Sequence, residues 1–109
     1  MFADFAGSSL RGSRFFKADL QDASFIGADC TGAAFEQAAL ENTVYTDTVL
    51  TGASFSTTVL EAKSIAGADF TDAVIEPRLL EKLCAREDAT GVNKKTGVAT
   101  RESMMCPDE

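Results

Sequence analysis

The residues of this chain whose types could do chemistry are three cysteines, seventeen carboxylates and one isolated lysine, Lys63, the only base between residues 18 and 75. Histidine is absent, which removes the usual general base near neutral pH and the commonest metal ligand. No glycine-rich phosphate loop, nucleophile elbow or zinc-type cysteine spacing occurs. Asp29 and Asp69 share a register with Val49 between them, and a hydrolytic carboxylate pair would need a cleft to work in. We therefore expect no enzyme, with no catalytic, cofactor-binding or metal-binding residues and no cofactor.

A repeat positions these groups. A large apolar residue stands at every fifth position: Phe5, Leu10, Phe15, Leu20, Phe25, Cys30, Phe35, Leu40, Tyr45, Leu50, Phe55, Leu60, Ile65, Phe70 and Ile75. Neither a helical period of 3.6 nor a strand period of 2 generates this. Calling the large residue i, position i−2 is mostly small (Ala3, Ala18, Ala23, Ala28, Ala33). In an extended segment i and i−2 point to the same side, so each unit sends one large and one small side chain inward. Six of the eight glycines fall at i+2, and Asp22, Asn42, Asp47 and Asp72 share that slot; these types accept positive φ or close turns. Lys63 breaks the small-residue rule at i−2. Its stem is expected to run along apolar surface to the open end of the repeat and touch what caps it.

The pattern resembles the pentapeptide-repeat family, whose loose consensus is Ala-(Asp/Asn)-(Leu/Phe)-X-X. Ala18-Asp19-Leu20, Ala28-Asp29-Cys30 and Ala68-Asp69-Phe70 match it, and Ala23-Ser24-Phe25 and Ala53-Ser54-Phe55 match it loosely. The resemblance implies an all-β solenoid, a right-handed quadrilateral β-helix with one pentapeptide per side, four per coil and about four coils. Residues four units apart then stack. The expected core ladder is Phe15–Phe35–Phe55 and Leu20–Leu40–Leu60, beside Phe5–Phe25–Tyr45–Ile65 and Leu10–Cys30–Leu50–Phe70.

After Ile75 the ladder stops. Pro77 suits the first turn of a helix, and Leu79, Leu80, Leu83 and Cys84 form one apolar stripe, which predicts a helix over 77–86. Turn signals follow at Thr90-Gly91, Asn93 and Gly97. Thr100 is placed to N-cap a short helix over 101–105 that turns Met104 and Met105 inward. The division is a repeat β-helix over 1–76 and a two-helix cap over 77–109, since repeat stacks need a terminal cap.

Cys30 occupies a ladder position and is expected to be a buried free thiol. The residues leave two states open for Cys84 and Cys106: reduced thiols, or a bridge closing a loop of about 22 residues for roughly 3 kcal/mol. The tail, residues 83–106, resembles the C-terminal extension of plant and cyanobacterial pentapeptide proteins of the thylakoid lumen. It shares the first cysteine, the Thr90-Gly91/Asn93 turn, the segment from Thr96 to Ser103 and the closing Cys106. That resemblance implies a Cys84–Cys106 disulfide. It also implies a mature chloroplast protein of the thylakoid lumen whose targeting peptide is absent from this chain, with a cyanobacterial lumen or periplasm as the alternative; either setting is oxidising enough for the bridge.

Arg11, Arg14 and Lys17 crowd the start of the repeat, while residues 18–75 carry nine acids against Lys63. An acidic body disfavours nucleic-acid binding, and no apolar run is long enough for a membrane span. Phe16 and Ile26, out of phase, should point outward, and Phe2 is expected to lie as a lid over the first coil. We expect a monomer that offers an acidic face, with Glu36, Glu41 and Asp69, to an unknown basic protein partner. The expected function is a non-enzymatic structural or interaction module of the thylakoid lumen. The alternative comes from another branch of the family, a DNA mimic that inhibits or protects a type II topoisomerase.

Overall fold

Residues five apart can share one interior only if the chain turns a corner between them. The computed structural model describes residues 3–107 and puts those corners at i+2. There Lys17, Asp22, Gln37, Asn42, Asp47 and Asp72 join six glycines at positive φ, the non-glycines at 56–65°. The N–H of the next residue closes each corner onto the carbonyl of i, as from Ser8 to Phe5 and from Ala18 to Phe15, both at 3.0 Å. Aspartate at i−1 closes it again by accepting the N–H of i+1: Ala6 to Asp4 at 3.0 Å, Thr31 to Asp29 at 3.1 Å and Thr71 to Asp69 at 2.9 Å. This is an Asx turn repeated along the chain.

Between corners the chain is extended, and residues twenty apart pair in parallel. Asp4 bridges Ser24, Ser24 bridges Val44 and Val44 bridges Ser64; Ser9, Asp29, Val49 and Asp69 form a second such series. Among the described residues only β1 (Ala34–Phe35) and β2 (Ser54–Phe55), paired parallel, are long enough to be strands, because the corners use the rest of each unit. The result is a β-helix solenoid. Two aromatic stacks fill it. Phe5–Phe25–Tyr45 stack at 5.1 and 5.4 Å, and Phe15–Phe35–Phe55 at 5.1 and 5.2 Å. The stacks meet edge-on, with Phe25 and Phe35 at 5.7 Å and 88°; each such pair adds about 0.5–1.5 kcal/mol beyond its buried area.

The ladder slips once. A 3₁₀ helix spans Thr57–Glu61. Val59 takes the fully buried position expected of Leu60, which is only half-buried at the margin of the core. Ala62 likewise takes the inward place expected of Lys63, whose side chain is exposed. The reason lies in the corners. The two slots concerned hold Thr57 and Ala62 instead of Gly, Asp or Asn, and a β-branched residue resists positive φ. The chain coils tightly there instead. Lys63 N–H then donates to Thr43 O at 2.7 Å, a bond that the repeat would assign to Ser64.

Past Ile75, α1 (Pro77–Cys84) stops two residues short of the expected end, at Ala85. It buries Leu79 and Leu83. α2 (Thr100–Ser103) begins on Thr100 itself, with Ala99 at the N-cap. Met104 is buried as expected, but Met105 adopts φ 55° and is 85% exposed. The helix has ended before Met105 could be carried inward. The lid expected of Phe2 lies outside the described residues.

Candidate interaction surface

Beyond the 3₁₀ helix the tail does for the last coil what another coil would do. Ile65 N–H donates to Asp88 Oδ2 at 3.1 Å, Gly67 N–H to Thr90 O at 2.9 Å and Phe70 N–H to Ser103 Oγ at 2.9 Å. Asn93, buried, anchors this cover. Its Nδ2 donates to Thr48 O at 3.1 Å and Gly67 O at 2.9 Å, and its Oδ1 accepts from the N–H groups of Lys95 and Thr96. Gly67 sits at φ 76°, where a side chain is strained, and its Cβ would also displace the Asp47 carboxylate, which it would meet at 2.5 Å. Arg86 spans the slip, donating to Leu60 O at 3.0 Å and Ala62 O at 2.9 Å while paired with Asp88 at 2.8 Å. The Arg86 hydrogen bond holds the Asp88 carboxyl below its ordinary pKa. Cys84 and Cys106 are joined by a disulfide, and Arg101 donates to Cys84 O at 2.7 Å and Pro107 O at 3.0 Å across it. Cys30 is buried and unbridged, and burial pushes its thiol up to about 12, far from a reactive thiolate.

Glu36, Glu41 and Asp69 do not form one face. Asp69 is 2% exposed, its carboxylate spent on the Thr71 N–H and hydroxyl. An aspartate at i−1 is a turn residue, so this member of the expected face is withdrawn. Asp29 repeats the arrangement; the Thr31 hydroxyl, with Arg11 at 3.1 Å, lowers its pKa. Glu41 is half-buried, with Oε1 enclosed and unpaired among the described residues. Of the three, Glu36 alone is exposed. It lies in a shallow groove of about 610 Å³ lined also by Phe16, Gln37, Phe55 and Thr58.

The slip opens that groove. With no extended strand beside Ala38, its carbonyl takes the hydroxyls of Ser56 at 3.1 Å and Thr58 at 2.7 Å. The Gln37 N–H, whose counterparts at other corners donate to the next coil, has no backbone acceptor among the described residues. Phe16, 57% exposed, forms one wall with Lys17 over its ring. The sequence pointed Phe16 outward but gave no sign of a groove; the missing turn former at Thr57 was the available signal. Among the described residues no group of His, Cys, Asp or Glu could hold a metal ion. Nor is any helix among the described residues long and apolar enough to cross a membrane.

The family model for pentapeptide repeats matches residues 2–29 and 28–61, in eight copies. The chain belongs to the pentapeptide-repeat family. This pentapeptide-repeat protein is 55% identical over 42 residues to the chloroplastic thylakoid lumenal protein TL20.3 of Arabidopsis thaliana. That match covers 38% of this chain but only 14% of the relative's length. Its fold is similar to the crystal structure of a pentapeptide-repeat protein from the Arabidopsis thaliana thylakoid lumen, at TM-score 0.50 and 32% identity, covering 97% of this chain and 86% of that one. Both relatives are thylakoid lumenal, and the location of this pentapeptide-repeat protein is the thylakoid lumen. The comparisons suggest a non-enzymatic repeat protein.

Proposed function

We propose that this protein is a non-enzymatic interaction module of the thylakoid lumen. Its solenoid is read as a right-handed, four-sided β-helix of about four coils over residues 1–76, and residues 77–109 as its cap. The observation that carries the function is the groove beside the 3₁₀ helix. An exposed carboxylate (Glu36), an exposed aromatic (Phe16) and a main-chain donor with no backbone acceptor among the described residues (Gln37 N–H) come together there. Such a site fits an extended basic segment of a partner protein, whose cation meets Glu36 and whose carbonyl accepts from Gln37.

The test is capture from thylakoid lumen extract on immobilised protein at low and high salt, with Glu36→Lys and Phe16→Ser beside the wild type. A protein held by the wild type at low salt and lost with both variants supports the reading. Equal retention by all three overturns it. The DNA-mimic alternative is disfavoured by size: the longest dimension is 38 Å with the cap included, little more than one turn of duplex at about 34 Å.

A further inference from the structure

We infer that the groove reads a charge pattern: the extended segment it holds carries a basic and an acidic side chain two residues apart, the base on Glu36 and the acid on Arg14. The inference deepens the partner reading above and rests on it. It starts from a second depression, of about 470 Å³, lined by Arg14, Phe16, Ala34 and Glu36. Phe16 and Glu36 also line the groove beside the 3₁₀ helix, so the two depressions adjoin and share those walls. The charges along this trough are unspent. Arg14 and Glu36 are both exposed, and among the described residues neither belongs to an ion pair. The other bases nearby are committed elsewhere. Arg11 is paired with Asp29 at 3.1 Å, and Lys17 lies over the Phe16 ring at 5.3 Å from its centre.

Geometry sets the spacing. Arg14 bridges Ala34 across the coils, and Glu36 stands two residues beyond Ala34 in the chain. One step between coils and two along the chain separate the two backbones by roughly 8 Å. In an extended segment, residues two apart point to one side, about 7 Å from each other. Neighbouring residues point to opposite sides, and residues four apart overshoot at about 13 Å. A base and an acid two apart therefore reach Glu36 and Arg14 together, while their aliphatic stems lie along the exposed face of Phe16. A segment with two bases at that spacing satisfies Glu36 but sets its second cation against Arg14. The trough thus selects against uniformly basic segments as well as for a cation at Glu36.

The test is a nuclear magnetic resonance titration of the isotope-labelled full chain at low salt, with end-blocked peptides up to about 10 mM. Two peptides carry one Lys and one Asp separated by a single Gly, in the two possible orders, flanked by glycines. Controls carry Lys at both places, or Lys alone. At least one mixed peptide should shift the Gln37 amide signal and bind about 3-fold tighter than Lys alone, the gain expected of one exposed ion pair. The two-lysine peptide should bind more weakly than either. Arg14→Glu should reverse that order and favour the two-lysine peptide, whereas Lys17→Gln should leave it unchanged; the spectrum of each variant reports its fold. If Lys alone binds as well as both mixed peptides, or if the order follows Lys17 and not Arg14, the charge pattern is overturned and the basic-segment reading of Glu36 stands. If no peptide shifts Gln37, both are overturned.

Discussion

The two ends of the solenoid solve the same problem in opposite ways. Every β-helix ends in backbone groups that expect another coil. At the C-terminal end, residues 85–106 supply substitutes one by one: Asp88 for a carbonyl, Thr90 O, Ser103 Oγ, and the Asn93 amide on Thr48 and Gly67. At the N-terminal end, Asp4, Ser9, Arg14 and Asp19 offer the same kind of groups with no backbone acceptor among the described residues. The difference teaches that the repeat supplies a column and leaves the treatment of its ends to residues outside the consensus. An end sealed by buried polar contacts should be sensitive to single changes. An end without such contacts among the described residues should tolerate them.

The largest contrast is expected at Asn93. Replacing it by Ala strands two carbonyls and two N–H groups at a buried site, and about 3–4 kcal/mol should be lost in denaturant melts. Asp19→Ala at the other end removes a hydrogen bond from the exposed Gln21 N–H and should cost under about 1 kcal/mol. Equal losses would erase the distinction between the ends.

Next comes the disulfide. Its partners are 22 residues apart, so the Cys84→Ser/Cys106→Ser variant should lose roughly 3 kcal/mol. Proteolysis should then begin in residues 85–107 while the repeat survives. Titration of the unreduced, denatured wild type should find one thiol, that of Cys30.

The slip gives a finer test inside the column. Val59→Ala should cost about 2–3 kcal/mol and Leu60→Ala about 1 kcal/mol, since the first leaves a cavity in a closed core and the second trims its margin. Reversed values would mean that the five-residue phase runs unbroken through 57–61.

The smallest effect concerns pH. Asp88 has a lowered pKa in the folded state, principally through Arg86. Its contribution is therefore fully present above the ordinary carboxylate value near 4 and is lost as pH falls through the folded value. The wild type should lose stability across that acid window. Asp88→Asn should be less stable at neutral pH and show a shallower decline, read as melting temperature against pH. Parallel profiles would remove Asp88 from the sealing of this end.

The column was legible because three kinds of residue repeat in one phase: large at i, small at i−2, turn former at i+2. The structure stacks Phe15, Phe35 and Phe55, and buries Leu20 and Leu40, where that phase puts them. Leu60 and Lys63 were misread because the phase was extended through corners whose residues, Thr57 and Ala62, do not suit positive φ. Asp69 was misread for the opposite reason. Its acidity suggested a partner, while its place at i−1 committed the carboxylate to its own corner. The pairing of Cys84 with Cys106 came from the likeness of the tail to lumenal relatives, since spacing alone left the thiols free to be reduced. Asn93 was visible only as a turn former.

By itself, then, the sequence determined the repeat, its interior and the place where it stops, because those depend on side-chain size and backbone preference within five residues. The tertiary structure decided which polar groups were spent and which were left over. Whether the Asn93 amide or the Gln37 N–H has a partner depends on what stands one coil away. That neighbour is twenty or more residues distant in the chain, so no local pattern reports it.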